Sequence, residues 1–243
     1  MKHGIPRLFG CLATFLVVSS SVLGQDTGPR GGAEGRGRGR GGPPRVGRAA
    51  PFETKALPRD EAEKRILDSL VEINREQGRM MNVPDQDGRL LRLLAESINA
   101  KTVVEVGTSN GISAIWISMA LRKTGGKLIT HEIDQQRAAL ARENFAKAGV
   151  ADVVTVVEGD AHKTISRLEG PIDMVFIDAE KDGYLDYLQK LLPLVRPGGL
   201  VLAHNMTARM AGADFAKQIT TDADLETILY MQGGGMSVSL KKR

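Results

Sequence analysis

The stretch Thr102-Val103-Val104-Glu105-Val106-Gly107-Thr108-Ser109-Asn110-Gly111-Ile112-Ser113 packs a strand, a tight turn and a helix start into twelve residues. Its β-branched run ends at Gly107, and a helical pattern begins after Gly111. Glycines at 107 and 111 let the backbone turn sharply and approach a ligand, and the helix start offers unpaired N–H groups. A dinucleotide fingerprint would read G-x-G-x-x-G, but Ser109 occupies its second glycine position. A side chain there would meet a pyrophosphate where close backbone approach is needed, which argues against NAD.

Working outward, β-branched runs recur at residues 127–132, 153–158, 172–178 and 200–204. Helical patterns separate them at 111–122, 135–148, 162–168 and 184–194, with another at 208–220. Gly125-Gly126, Gly149, Gly170-Pro171 and Pro197-Gly198-Gly199 supply the turns. Near-continuous apolar strands alternating with helices predict a mainly parallel sheet covered on both faces. Upstream, Pro58 opens a helical pattern with Ile66, Leu70 and Ile73 on one face, and a second helix follows Pro84-Asp85. Downstream the rhythm changes, because residues 225–230 and 236–240 flank Gly233-Gly234-Gly235 and read as an antiparallel hairpin. The expectation is one doubly wound α/β domain over residues 57–243, with two extra helices before it and an antiparallel edge.

The charge is unevenly spread. The 243 residues carry a formal +4, but residues 1–50 hold eight Lys/Arg against two acids, leaving the rest mildly acidic at −2. A basic fold that binds nucleic acid specifically is therefore disfavoured. Lys2 and Arg7 precede the apolar run Leu8-Phe9-Gly10-Cys11-Leu12-Ala13-Thr14-Phe15-Leu16-Val17-Val18, and small residues follow to Gly24. Residues 1–24 read as a secretory signal peptide cut near Gly24, hence an exported protein. A membrane anchor, or a cytoplasmic protein with a misassigned start, is the alternative. Residues 25–56 read as a disordered Gly/Arg/Pro-rich linker, since nine glycines, six arginines and three prolines between Asp26 and Ala50 leave little to bury. It serves as a spacer or makes weak charge contacts with polyanions. Cys11 is the only cysteine, which excludes an intrachain disulfide and a cysteine-based zinc cluster.

Ligands of such sheets bind beyond the carboxyl ends of the strands, so the chemistry is sought there. Glu132 ends the second strand, 27 residues after Glu105, and is placed for paired ribose hydroxyls, with Asp134 capping the next helix. Asp160 follows the third strand and suits either an adenine amino group or a helix N-cap. The fourth strand runs into Asp178-Ala179-Glu180-Lys181-Asp182-Gly183-Tyr184 and the fifth into His204-Asn205. Asp178, His204 and Asn205 thus bring a carboxylate, an imidazole and an amide to one edge, a mixed O/N donor set for a divalent ion. Each alone also suits capping or core packing. Lys181, three residues from Asp178, is a candidate general base, or an ordinary surface lysine.

These blocks together resemble the cation-dependent S-adenosylmethionine O-methyltransferases, the group containing catechol and caffeoyl-CoA O-methyltransferases. The resemblance spans about residues 77–242 and is carried by Met81-Asn82-Val83-Pro84, Val104 to Ser113, Glu132-Ile133-Asp134, Asp173 to Tyr184 and Pro197-Gly198-Gly199. It implies a Rossmann-like seven-stranded methyltransferase sheet. It places Val83, Glu105, Gly107, Ser109 and Ser113 around the cofactor, Glu132 on its ribose, and Asp160 and Ala161 against its adenine, with Asp178 beside it. Asp178 and Asn205 would hold a divalent cation, and Lys181 would deprotonate the hydroxyl of a catechol-like acceptor. A homodimer through the first helix is a further implication. One departure stands out: the family carries Asp-Asn at the fifth strand end, where this chain has His204-Asn205. If His204 ligates, the site loses a hard anion and shifts from Mg²⁺ toward Mn²⁺, Zn²⁺ or another transition metal. Otherwise His204 acts as a base or a hydrogen-bond partner. A degenerate binding protein and an NAD(P)-linked oxidoreductase are the competing classes. The aromatic residues show no acceptor clamp, since the single Trp116 falls on a helix expected to pack in the core.

Overall fold

The computed structural model describes residues 55–78, 80–207 and 212–243. The expected leader over residues 1–24, and the expected linker up to residue 54, lie outside the described residues. Lys55 and Ala56, the last residues of that expected linker, have no regular secondary structure.

Helix α1 (Glu61–Gln77) starts where the Asp60 carboxylate accepts the Glu63 N–H at 2.8 Å, three residues later than the proline-led pattern suggested. Its buried Ile66, Leu70 and Ile73 recur at helical spacing. Helix α2 (Asp85–Ser97) packs on α3 (Ile112–Thr124), and Gly88 makes this approach possible, since a Cβ there would lie 2.1 Å from the Trp116 ring. Trp116 is core, as expected.

The strands are β1 (Thr102–Val106), β2 (Lys127–Glu132), β3 (Val154–Glu158), β4 (Ile172–Ile177), β5 (Val195–His204), β6 (Leu225–Tyr230) and β7 (Met236–Lys241). They form one sheet in the order β3-β2-β1-β4-β5-β7-β6. The first five are parallel, and β7 runs antiparallel between β5 and β6. This is the expected seven-stranded, mostly parallel α/β sheet with an antiparallel hairpin at its edge. All six residues of β4 are buried, which explains the lack of polar alternation in its sequence. Helices α3 and α4 (Gln135–Ala148) cover one face and α6 (Tyr184–Leu191) with α7 (Ala213–Thr221) the other.

Two expected boundaries move. Strand β5 begins at Val195, not at residue 200, because Val195 already pairs with Ile172; Pro197-Gly198-Gly199 is then passed as a register shift inside the strand. Helix α7 starts at Ala213, after the non-helical Gly212, and residues 208–211 of the expected helix lie outside the described residues. Strand order reverses between β1 and β4, and the crevice at their carboxyl ends is where such a sheet holds a ligand.

Candidate active site

The carboxyl ends of β1 to β5 border a cleft of about 770 Å³. Val83, Gly107, Ser109, Ser113, Glu132, Asp160, Ala161, Asp178, Lys181, His204 and Asn205 all line it, so ten residues of widely separated motifs converge with Val83 on one space. Glu105 does not line it. It is fully buried behind the wall, where Ser113 Oγ and Thr130 Oγ1 each donate to its carboxylate at 2.5 Å. Burial pushes its carboxyl up to about 7 against those hydrogen bonds, with the Asp178 and Glu132 charges adding to the rise. Its direct cofactor contact, expected from the sequence, is replaced by a supporting position beneath Ser113.

At the β1 and β2 ends the backbone makes the shape. Gly107 has φ +98°, and a Cβ there would sit 2.2 Å from the Asp178 carbonyl oxygen, so the first and fourth strand ends meet only because this residue is glycine. Ser109 also adopts the left-handed region, φ +50°, and its N–H donates to Glu132 Oε2 at 2.7 Å. The other oxygen of Glu132 accepts the Asp134 N–H at 3.0 Å, while Asp134 itself caps α4 through the Gln136 and Arg137 N–H groups. Glu132 is therefore a fixed acidic wall joining the β1 and β2 loops. Asp160 lines the cleft and caps the short helix α5 (Ala161–Thr164), accepting the His162 N–H at 3.0 Å.

On the opposite side charge makes the shape. The half-buried Lys181 Nζ donates to the His204 carbonyl oxygen at 2.9 Å, contacts the Tyr184 hydroxyl and lies over the Tyr184 ring. Burial holds its pKa below the ordinary lysine value, with the Asp178 carboxylate opposing. His204 is almost fully buried between two carboxylates. Its Nε2 is 2.8 Å from Asp87 Oδ2 and its Nδ1 is 3.2 Å from Asp178 Oδ2. Burial alone would lower its pKa, but Asp178 and Asp87 outweigh it and raise the value to about 9. Asn205, with φ +56°, points its amide to Asp178 Oδ1 at 3.4 Å.

Asp87 was missed by sequence reasoning. It reaches the site from α2, 117 residues before His204, and the only trace in the sequence is an acid followed by glycine on the apolar side of a helix.

The donor set was tested for a divalent ion on its own geometry. Among the described residues no group of three His, Cys, Asp or Glu side chains stands at ligating distances. However, His204 Nδ1 is buried without a hydrogen-bond partner and faces Asp178 Oδ2. Their 3.2 Å separation lets one ion with bonds of about 2.0–2.2 Å touch both. With Asn205 alongside, two side chains and an amide fit an ion whose remaining positions are open to acceptor oxygens or water.

With this geometry in place, known proteins resolve the class. A family model described as O-methyltransferase matches residues 58–241. The chain belongs to the O-methyltransferase family. A catechol O-methyltransferase of Niastella koreensis is 42% identical over 130 residues, covering 52% of this chain and 58% of that protein. Caffeoyl-CoA O-methyltransferase 1 of Eucalyptus globulus is 32% identical over 155 residues, 62% of each chain. The chain thus spans about six-tenths of the length of these curated relatives. The O-methyltransferase TomG of Streptomyces achromogenes, involved in tomaymycin synthesis and solved with S-adenosylmethionine, superposes with a TM-score of 0.63 at 28% identity. That match covers 77% of this chain and 92% of the other. The family's fold and the cleft at the β1/β4 reversal coincide in this chain.

Proposed function

We propose that the chain transfers the methyl group of S-adenosylmethionine to one hydroxyl of a catechol-like acceptor, with Lys181 as the base and a divalent cation at Asp178, His204 and Asn205. The observation that carries this reading is the convergence of Lys181 Nζ, Asp178 and His204 in the one cleft that Glu132 and Gly107 also line.

The chain's own groups divide the work. Glu132 accepts the ribose hydroxyls, and Asp160 with Ala161 borders the adenine. Gly107 and Ser109 leave room at the methionine end, and Ser113, backed by Glu105, closes it. When bound, the ion supplies Lewis acidity that lowers the pKa of a vicinal hydroxyl pair and orients it. Lys181 Nζ, steered by the His204 carbonyl oxygen and the Tyr184 hydroxyl, takes the acceptor's hydroxyl proton. Because transfer from a sulfonium is an in-line displacement, most of the acceleration comes from holding the acceptor oxygen behind the methyl carbon. Asn82, Val83 and Asn205, which line the cleft, restrict that approach.

The test is methylation of a simple catechol by the full chain with S-adenosylmethionine, read by mass spectrometry. Turnover is expected, lost in excess chelator and restored by a divalent ion. Full activity in excess chelator removes the ion from the mechanism, and absence of turnover across a broad phenol panel removes the acceptor class.

A further inference from the structure

We propose that Asp87 is a positioning residue of the ion site, fixing His204 so that the site prefers a nitrogen-seeking divalent transition ion over Mg²⁺. This rests on the ion reading given above.

Asp87 is fully buried, and a buried carboxylate must be matched by donors. Its Oδ2 takes two: the His204 Nε2–H and the Gly234 N–H, both at 2.8 Å. A neutral imidazole carries one N–H and one lone pair. In the neutral form that can ligate an ion, with Nε2 donating to Asp87, the lone pair is on Nδ1, the atom that faces Asp178 without a hydrogen-bond partner. A carboxylate behind a histidine in this way sets its tautomer and ring orientation and raises its basicity as a ligand.

The surroundings are shaped to keep this pair. The turn between β6 and β7 closes directly over it. A Cβ at Gly234 would lie 2.6 Å from His204 Nε2, and one at Gly233, where φ is +60°, would lie 2.2 Å from Asp87 Oδ1. The glycine run that reads in the sequence only as a hairpin turn therefore also leaves space for the Asp87–His204 contact. Three elements hold the pair: α2 supplies the carboxylate, β5 the ring, and the hairpin turn an N–H. The consequence for the ion follows from donor chemistry. An imidazole nitrogen suits Mn²⁺, Co²⁺ or Zn²⁺, whereas Mg²⁺ favours oxygen donors in a tight octahedron. The negative charge of Asp87 stays in the site without touching the ion.

Ion-free full-length protein titrated calorimetrically with Co²⁺, Mn²⁺ and Mg²⁺ tests this, with the visible absorption of bound Co²⁺ as a second readout. The wild type should bind Co²⁺ and Mn²⁺ more tightly than Mg²⁺. Asp87→Asn should weaken Co²⁺ by about 10–100-fold and alter its spectrum, while S-adenosylhomocysteine binding is retained. His204→Asp should turn the preference toward Mg²⁺, and adding Asp87→Asn to it should weaken Co²⁺ no further. Wild-type Co²⁺ affinity in Asp87→Asn, or equal losses for Co²⁺ and Mg²⁺, overturns the inference, because a merely structural Asp87 would not discriminate between ions. Ion binding that needs Asp178 but ignores Asp87 overturns this inference and leaves the ion reading standing. No ion binding by the wild type overturns both. If Asp87→Asn does not fold, His204→Asp decides alone: an unchanged ion order overturns the proposal.

Discussion

His131, next to Glu132 on β2, and His204, at the end of β5, are buried to nearly the same degree, 1% and 3% exposed. Their chemistry is opposite. Burial alone acts on His131, whose Nδ1 lies 2.8 Å from the Thr164 hydroxyl and whose Nε2 has no partner, and its pKa falls to about 4. Around His204 the same desolvation is overcome by Asp87 and Asp178, and the value rises to about 9. The two strand ends stand for the two halves of the cleft. The half at the β1 and β2 ends is built by backbone geometry, with Gly107, Ser109 and Glu132 linking adjacent loops. The half at the β4 and β5 ends is built from charges delivered by distant elements. What a buried side chain does here is decided by which carboxylates the topology brings to it.

Lys181→Ala breaks that division most sharply. Loss of a positioned general base should lower kcat by about 10²–10⁴-fold. Affinity for S-adenosylhomocysteine should not change, since the contacts of Lys181 all lie on the β4–β5 side, at the His204 carbonyl and Tyr184. Kinetics on a catechol probe, paired with calorimetry, separates the two quantities. A parallel loss of cofactor affinity would show that the halves are not independent.

Gly107→Ala should do the reverse and damage both halves, because Gly107 is where they touch. A methyl group there meets the Asp178 carbonyl oxygen, and φ +98° is strained for any residue with a Cβ. Such backbone strain costs about 1–3 kcal/mol before the displacement of Asp178 is added. Urea unfolding should show a lower midpoint, and cofactor binding and turnover should fall together.

The same contrast explains what the sequence disclosed. The alternation of strands and helices, the hairpin edge and the strand-end loops were legible because their residues are local: Gly107, Ser109 and Gly111 follow one strand, and Glu132 and Asp134 follow the next. The Asp134 cap could also be read, since capping has its own short-range pattern. Asp87 could not. Nothing near it in the chain announces a partner 117 residues away, and an acid in the first turn of a helix looks like a dipole partner. Glu105 was misplaced for a related reason: alternation along a strand does not say that a carboxylate will be buried against Ser113 and Thr130. The start of β5 was misjudged because Pro197-Gly198-Gly199 carries turn chemistry, while pairing of Val195 with Ile172 is a long-range event.

The smallest expected effect concerns His131 and tests whether the half at the β1 and β2 ends rests on a neutral ring. Its pKa is about 4 when folded and 6.5 in the reference state. The unfolded chain therefore binds more protons between these values, so the contribution of His131 is complete above about pH 6.5 and is lost as pH falls toward 4. At about 1.4 kcal/mol per pH unit, lowering pH from 6.5 to 5 should remove about 2 kcal/mol. Glu105 works in the other direction. Its folded pKa of about 7 lies above the ordinary 4.5, so its contribution is complete below 4.5 and lost as pH rises through 7. Over the same interval the two slopes oppose each other, and a wild-type curve alone would look flat. The informative quantity is the difference between wild type and His131→Gln in urea unfolding at pH 6.5 and pH 5. The variant should become relatively more stable as pH falls, and a difference that does not change with pH would mean that burial does not lower the pKa of His131 in the folded protein.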